Sequence, residues 1–310
     1  MNTEIRTEKL TKRYKDVLAV SEISLNVSKG EIYGFLGLNG AGKTTTIRML
    51  LGMISPNKGE AFINEQRVYA GNTELWKKIG YLVEMPFSYP NLTVKENLEI
   101  IRRLRFLNDK NAVASVMDKL RLTEYANRKT GNLSLGNAQR LGVAKALIHN
   151  PDILILDEPA NGFDPAGICE IREMLRDLAR NHCVTIFISS HILGEISKLA
   201  TRIGIIHRGV LIQELKTQQL EQLCQKRLKV NTPDNDQALS VLKRNGITAQ
   251  KNVDEVIEIL NGELIDHPES VSMLLVNNQV PPSMLNVVEE DLESYFLRTI
   301  NTTEMKGVVI

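Results

Sequence analysis

Cysteine, long apolar runs and an excess of charge of either sign are all scarce in this sequence. Its three cysteines (Cys169, Cys183, Cys224) are too few and too scattered for a disulfide framework or a zinc cluster. A reducing compartment is the simplest setting. The longest apolar stretches centre on Ile153–Leu156 and Val184–Ile188, far short of the roughly 18 residues that a membrane span needs. The opening MNTEIRTEKL has no apolar core of the kind a signal peptide carries. The chain is therefore expected to be soluble by itself, which leaves open whether it docks on a membrane protein. Lys plus Arg is 38 and Asp plus Glu is 37, a formal net charge of +1. That balance argues against nucleic acid as a partner gripped by the whole surface, although a local patch stays possible. Gly 20 and Pro 10 are ordinary usage, so the chain is neither fibrous nor disordered. It has no internal repeat and no low-complexity tract.

With 43% hydrophobic and 24% charged residues, the composition is that of a globular protein. Its 310 residues are enough for two domains at roughly 100–200 residues each. The first 30 residues alternate in the manner of edge strands. IYGFLGL reads as a strand, Lys43 to about Leu51 as a helix, SPNKGE as a turn and AFINEQRV as a strand. Residues 92–120 and 132–150 carry helical periodicity. PDILILDEP is a short apolar strand, 166–180 a helix, CVTIFISSH a strand and 192–200 a helix. IGIIHRGVLIQE resembles a hairpin with its turn at His207-Arg208-Gly209. Apolar strands without alternation, separated by helices, indicate a mainly parallel sheet covered on both faces. Beyond about Leu220, short strands alternate with short amphipathic helices. That pattern predicts a small α+β accessory domain, in a ferredoxin-like arrangement, with no chemical constellation of its own.

Gly37-Leu38-Asn39-Gly40-Ala41-Gly42-Lys43-Thr44 fits G-x-x-x-x-G-K-[ST], with a strand before it and a helix after it. Gly40 and Gly42 let backbone amides around Asn39 curl about phosphates without Cβ clashes. The following helix start adds a positive dipole end. Lys43 reaches the β- and γ-phosphates, the Thr44 hydroxyl ligates Mg²⁺, and Thr45 contacts phosphate. The strand Ile153–Leu156 then ends in Asp157 and Glu158. Asp157 is placed to hold Mg²⁺ through water, and Glu158 to act as general base or to position water for hydrolysis. Together these elements name a nucleoside triphosphate.

LSLGNAQR opens another helix, with Ser134 placed to cap it and Gly136 leaving the backbone open to an anion. A second phosphate-binding helix start is redundant in a monomer. It makes sense when two copies face each other and each covers the other's nucleotide.

At this point the chain resembles the ATP-binding subunit of ABC transporters. LSLGNAQR is similar to that family's signature motif, commonly Leu-Ser-Gly-Gly-Gln; it departs at Leu135 and Asn137 and keeps Ser134 and Gly136. NGFD resembles the family's D-loop, which implies that Asp164 lies across a dimer interface. His191 matches the switch histidine that contacts the γ-phosphate, and Tyr14 the aromatic that stacks on adenine. The motifs run from residue 14 to 191, and the resemblance covers about residues 3–217.

The resemblance implies an α/β fold, a P-loop ABC ATPase domain over residues 1–219. That domain would have a parallel core sheet, antiparallel edge strands and a helical subdomain at about 88–150. The small α+β domain would occupy 220–310. It implies ATP and Mg²⁺ as cofactors, a second ATP-binding subunit (a homodimer), and separately encoded integral membrane subunits as partners. The chain would then sit at the cytoplasmic face of the membrane through that partner.

Where the family usually has a glutamine that senses Mg²⁺, this chain has Glu84. A carboxylate there still offers an oxygen to the metal but carries charge and cannot donate when ionised. Glu84 could also be an ordinary loop acid. The acidic form, the signature as written and the ending EEDLESYFLRT resemble subunits of bacitracin-resistance and lantibiotic self-protection exporters. Residues 85–97, with Phe87, Tyr89 and Leu92, would receive a cytoplasmic helix of the partner, or else simply cover the domain's own helices. The rival function is a soluble ATPase of the same superfamily acting in translation or DNA repair. Only one phosphate loop is present, and neither a coiled-coil nor a zinc insertion, which argues against that rival.

Overall fold

The computed structural model describes residues 3–84, 87–252 and 254–305. It divides into two compact units, the first over residues 3–218 and 303–305 and the second over 219–302.

The first unit opens with β1 (Thr3–Tyr14) and β2 (Val17–Ser28), paired antiparallel. Their alternation turns Ile5, Leu10, Ile23 and Val27 inward. β3 (Ile32–Leu36) leads through the phosphate loop into α1 (Lys43–Leu50). Ala61–Val68 alternates as one strand would. The chain instead reverses at Asn64-Glu65, with φ of 49° and 60°, a left-handed two-residue turn of the hairpin type. Two strands result, β4 (Lys58–Ile63) and β5 (Gln66–Arg67), completing an antiparallel sheet in the order β2-β1-β4-β5.

α2 (Thr73–Trp76) and β6 (Ile79–Leu82) follow. α3 (Val94–Leu104), α4 (Ala112–Lys119) and α5 (Leu135–Leu147) then form a run of helices. α3 begins with a capping box: Thr93 Oγ1 accepts from Glu96 N at 3.2 Å, and Glu96 Oε2 accepts from Thr93 N at 2.8 Å. After these come β7 (Ile153–Leu156), α6 (Pro165–His182), β8 (Thr185–Ser190), α7 (Leu193–Ile196), β9 (Arg202–His207) and β10 (Val210–Lys216). α7 is shorter than the helical pattern over 192–200 predicts, because the chain must turn into β9. Thr201 N already bonds to Ile32 O of β3 at 2.9 Å.

The second sheet runs β10-β9-β3-β8-β7-β6, parallel throughout except for the β9–β10 hairpin. Every residue of β3, β7 and β8 is buried, which is why these strands are apolar without alternation. Leu36 pairs with Ser190 and Leu156 with Ile188, so the carboxyl ends of β3, β7 and β8 lie side by side. Open α/β sheets bind ligands at that edge.

The second unit comprises α8 (Leu220–Leu223), β11 (Lys226–Asn231), α9 (Asn235–Arg244), β12 (Ala249–Lys251), β13 (Ile257–Ile259), α10 (Gly262–Asp266), α11 (Pro268–Asn277), β14 (Met284–Glu289) and, up to Thr302, α12 (Leu292–Met305). Its sheet has the order β12-β13-β11-β14 with all neighbours antiparallel, the split βαβ order of ferredoxin-like units. Leu228, Val230, Leu242, Ile257 and Leu275 form its core. No described helix in either unit is long and apolar enough to cross a membrane.

Candidate functional site

The phosphate loop is shaped by close backbone packing. Gly40 lies at φ 80° and Gly42 at φ 105°, a region that glycine enters without steric cost. A Cβ on Gly42 would meet Ala19 O at 2.5 Å, and one on Gly37 would meet Ile206 O at 2.6 Å. No side chain caps α1, which leaves its first-turn amides free for an anion. Lys43 is buried, and its Nζ donates to Gly37 O at 2.6 Å and Leu38 O at 3.3 Å.

Opposite the loop stand the ends of β7 and β8. Thr44 Oγ1 donates to Asp157 Oδ2 at 2.7 Å, and Ser189 Oγ donates to Asp157 Oδ1 at 2.6 Å. Asp157 is only 3% exposed. Glu158 adopts φ 49°, a left-handed conformation that costs a non-glycine residue about 1–2 kcal/mol. In that conformation its carboxylate bridges two basic groups. Oε1 lies 3.1 Å from Lys43 Nζ, a close ion pair without a well-directed hydrogen bond. Oε2 lies 2.8 Å from His191 Nδ1. The Glu158 N–H donates to Ser189 Oγ at 2.9 Å, and Gln139 Nε2 donates to Glu158 O at 3.4 Å.

A cleft of about 600 Å³ opens above this group, within the size range of small-molecule sites. Asn39, Gly40, Gly42, Lys43, Thr44 and Thr45 line its floor, with Glu158 at one side. The end of β1 supplies Arg13, the β1–β2 turn supplies Asp16, and the β9–β10 turn supplies Arg208. Tyr14 ends β1, 43% exposed, with Lys12 Nζ 5.2 Å over its ring. Its ring does not line the cleft itself.

Ser134, Gly136 and Asp164 form a separate group outside the cleft lining. Ser134 caps α5 by accepting from Asn137 N at 3.3 Å, and Asp164 caps α6 by accepting from Gly167 N at 2.8 Å. Such caps stabilise a helix by about 1 kcal/mol each. A Cβ on Gly136 would lie 3.0 Å from Gly162 O, so the two segments touch through backbone. Arg140 clasps them further: its Nη2 is 2.8 Å from Glu170, and its guanidinium lies 5.3 Å over the Phe163 ring.

Glu84 is also outside the cleft lining. It is exposed, lies at φ 58°, and receives a 2.5 Å bond from Arg48 Nη2. Arg48 stands one turn beyond Thr44 on α1, so Glu84 is docked one helical turn from the Thr44–Asp157 pair. Met85, the first residue of the predicted partner-receiving stretch, lies outside the described residues. Phe87 and Tyr89 are 76% and 49% exposed, with ring centroids 5.5 Å apart. Leu92 is half-buried, and the Tyr89 backbone is bonded to Asn97 of α3. Behind them Lys145 Nζ donates to Phe87 O at 2.6 Å, and burial pulls its ammonium pKa down to about 8.

Ser189, Gln139, Arg13, Asp16 and Arg208, all close to the cleft or its acids, escaped the sequence reading. Only Ser189 left a signal, a hydroxyl at a strand position where the preceding residues are apolar.

A family model described as ABC transporter matches residues 20–161. The bacitracin transport ATP-binding protein BcrA of Bacillus licheniformis is 40% identical over 302 residues, covering 97% of this chain and 98% of that protein. The lantibiotic transport ATP-binding protein SrtF of Streptococcus pyogenes is 36% identical over 210 residues, covering 68% of this chain and 90% of that protein. Among solved structures, the dimeric post-hydrolysis state of the ATP-binding cassette MJ0796 bound to ADP and Pi matches with a TM-score of 0.65. It is 25% identical and covers 69% of this chain and 98% of that one.

Proposed function

We propose, because the chain belongs to the ABC transporter family of ATP-binding subunits, that it hydrolyses ATP to power a separate membrane-spanning partner that expels a peptide antibiotic or lantibiotic. The observation that carries this reading is the meeting of Lys43, Thr44, Asp157, Glu158 and His191 at one cleft. It occurs in a chain 40% identical, over nearly its whole length, to a bacitracin transport subunit.

The triphosphate lies on the phosphate loop, where the amides of α1 and Lys43 neutralise its charge. Lys43 moves from Glu158 to the β- and γ-phosphates, which leaves the Glu158 carboxylate free to take a proton from the attacking water. His191 holds Glu158 in line and meets the transferring phosphoryl group. The products are ADP and phosphate. Thr44 Oγ1 and Asp157 Oδ2, adjacent at 2.7 Å, are a hard-oxygen pair that suits Mg²⁺. Bound there, the ion would neutralise phosphate charge. Glu84 joins this set only by leaving Arg48.

Ser134 and Gly136 cover the γ-phosphate of a second copy, and Asp164 lies at the contact between the two. Phe87 and Tyr89 supply apolar area to the membrane partner. The chain thus works at the cytoplasmic face of the membrane, held there by its partner.

Replacing Glu158 with Gln tests the reading. ATP binding is expected to persist, while turnover falls about 100-fold or more and a nucleotide-bound dimer accumulates in light scattering. The variant, extracted from detergent-solubilised membranes in ATP, is expected to carry a transmembrane protein with it. Unchanged turnover would remove Glu158 as the base, and recovery of the chain without a membrane protein would remove the transport assignment.

A further inference from the structure

We propose that Ser189 is a positioning residue that locks the metal-binding carboxylate and the general base into one rigid unit. The inference rests on the ATPase reading above and adds to it a residue that the phosphate-loop and acidic motifs do not contain.

Ser189 ends the buried face of β8, with no exposed surface, and is held in register opposite Phe35 of β3. A serine hydroxyl has one proton to give and lone pairs to receive. The proton goes to Asp157 Oδ1 at 2.6 Å, so at Glu158 the oxygen must accept, and it does, from the backbone N–H at 2.9 Å. The chain Glu158 N–H to Ser189 Oγ–H to Asp157 is therefore directional and fully used. Thr44 takes the other Asp157 oxygen. Without Ser189, one buried carboxylate oxygen and one buried amide would lose their partner together.

The consequence reaches the reacting groups. Asp157 and Glu158 are consecutive, and Glu158 is in the unfavourable left-handed region. That backbone setting is what directs its carboxylate at Lys43 and His191. A bond to the Glu158 amide holds the setting, while the bond to Asp157 fixes how that carboxylate faces Thr44. Ser189 is not among the residues that line the cleft. It acts through the two acids, and an alanine at this place would leave the fold and the phosphate loop intact.

The test compares Ser189→Ala, Ser189→Thr and Glu158→Gln with the wild-type chain. Steady-state turnover, KM for ATP, melting temperature, and Mg²⁺ dependence of binding of a fluorescent ADP analogue are measured for each. For Ser189→Ala the expected results are a kcat lowered about tenfold or more, a KM within about threefold, and a melting temperature lowered by only about 5 °C or less. Analogue binding should be normal without Mg²⁺, with the Mg²⁺ half-saturation raised several-fold. Ser189→Thr, which keeps the hydroxyl, should recover most of kcat. Wild-type kcat and Mg²⁺ response in Ser189→Ala would overturn the proposal. So would a parallel loss of melting temperature and metal-free binding, which would mark Ser189 as a packing residue. If Glu158→Gln turned over normally, Glu158 would lose its role as base and this inference would fall with it, whereas a wild-type chain without ATP turnover would remove the ATPase reading itself.

Discussion

Around Lys43 the polar groups satisfy one another inside a single chain: Thr44 and Ser189 on Asp157, Lys43 and His191 on Glu158. Around Ser134 the arrangement is different. Ser134 is exposed, its hydroxyl spent on a helix cap, and the neighbouring Gly136 is pressed on Gly162 by backbone contact. The first region gathers its charged groups around one cleft within the chain. The second is a capped helix start that lies outside that cleft, where the proposed function puts the nucleotide of a second copy. A chain with one complete and one outward-facing phosphate element makes physical sense as half of a pair, which agrees with its similarity to a dimeric cassette.

The largest expected effect separates the two regions directly. Lys43→Ala should abolish nucleotide binding by the isolated chain, measured by calorimetry. Ser134→Asp keeps a good helix cap but places a negative charge where a partner's γ-phosphate would dock. It should lower turnover about 100-fold with single-chain binding unchanged and the melting temperature within about 2 °C. Loss of single-chain binding in Ser134→Asp would merge the two regions and break the comparison. A smaller effect concerns Glu84, which belongs to neither. Its pair with Arg48 is exposed on both sides and so is worth only about 0–1 kcal/mol, weak enough to exchange. Glu84→Gln should leave ATP affinity within about twofold and change partner-stimulated turnover several-fold. An equal loss of affinity would make Glu84 a binding residue instead.

What could be read from the sequence follows the range of the interactions. The phosphate loop, the apolar strand ending in Asp157 and Glu158, and the cap at Ser134 are each local, and each is where its pattern places it. Unbroken apolar runs in β3, β7 and β8 gave away the buried parallel sheet for the same reason. Ser189 was missed because its meaning lies in partners 31 and 32 residues away, brought near only by the pairing of β7 with β8. Arg48 stands 36 residues from Glu84 and was silent likewise. The hairpin at Asn64-Glu65 was read through because alternation continues across it, although Asn is a residue that tolerates the left-handed turn. In the second unit the alternation of short strands and helices was legible, but its exposed apolar residues, such as Met273 and Val276, say nothing of what they serve.

The central claim is that a working site takes its phosphate loop from one copy and its Ser134 segment from another. The most direct measurement mixes two inactive chains, one Lys43→Ala and the other Ser134→Asp, and follows ATP turnover. In the mixed dimer one site combines both lesions and the other combines two intact halves. Turnover well above the sum of the separate chains is the predicted result. A mixture as inactive as its parts would contradict the account.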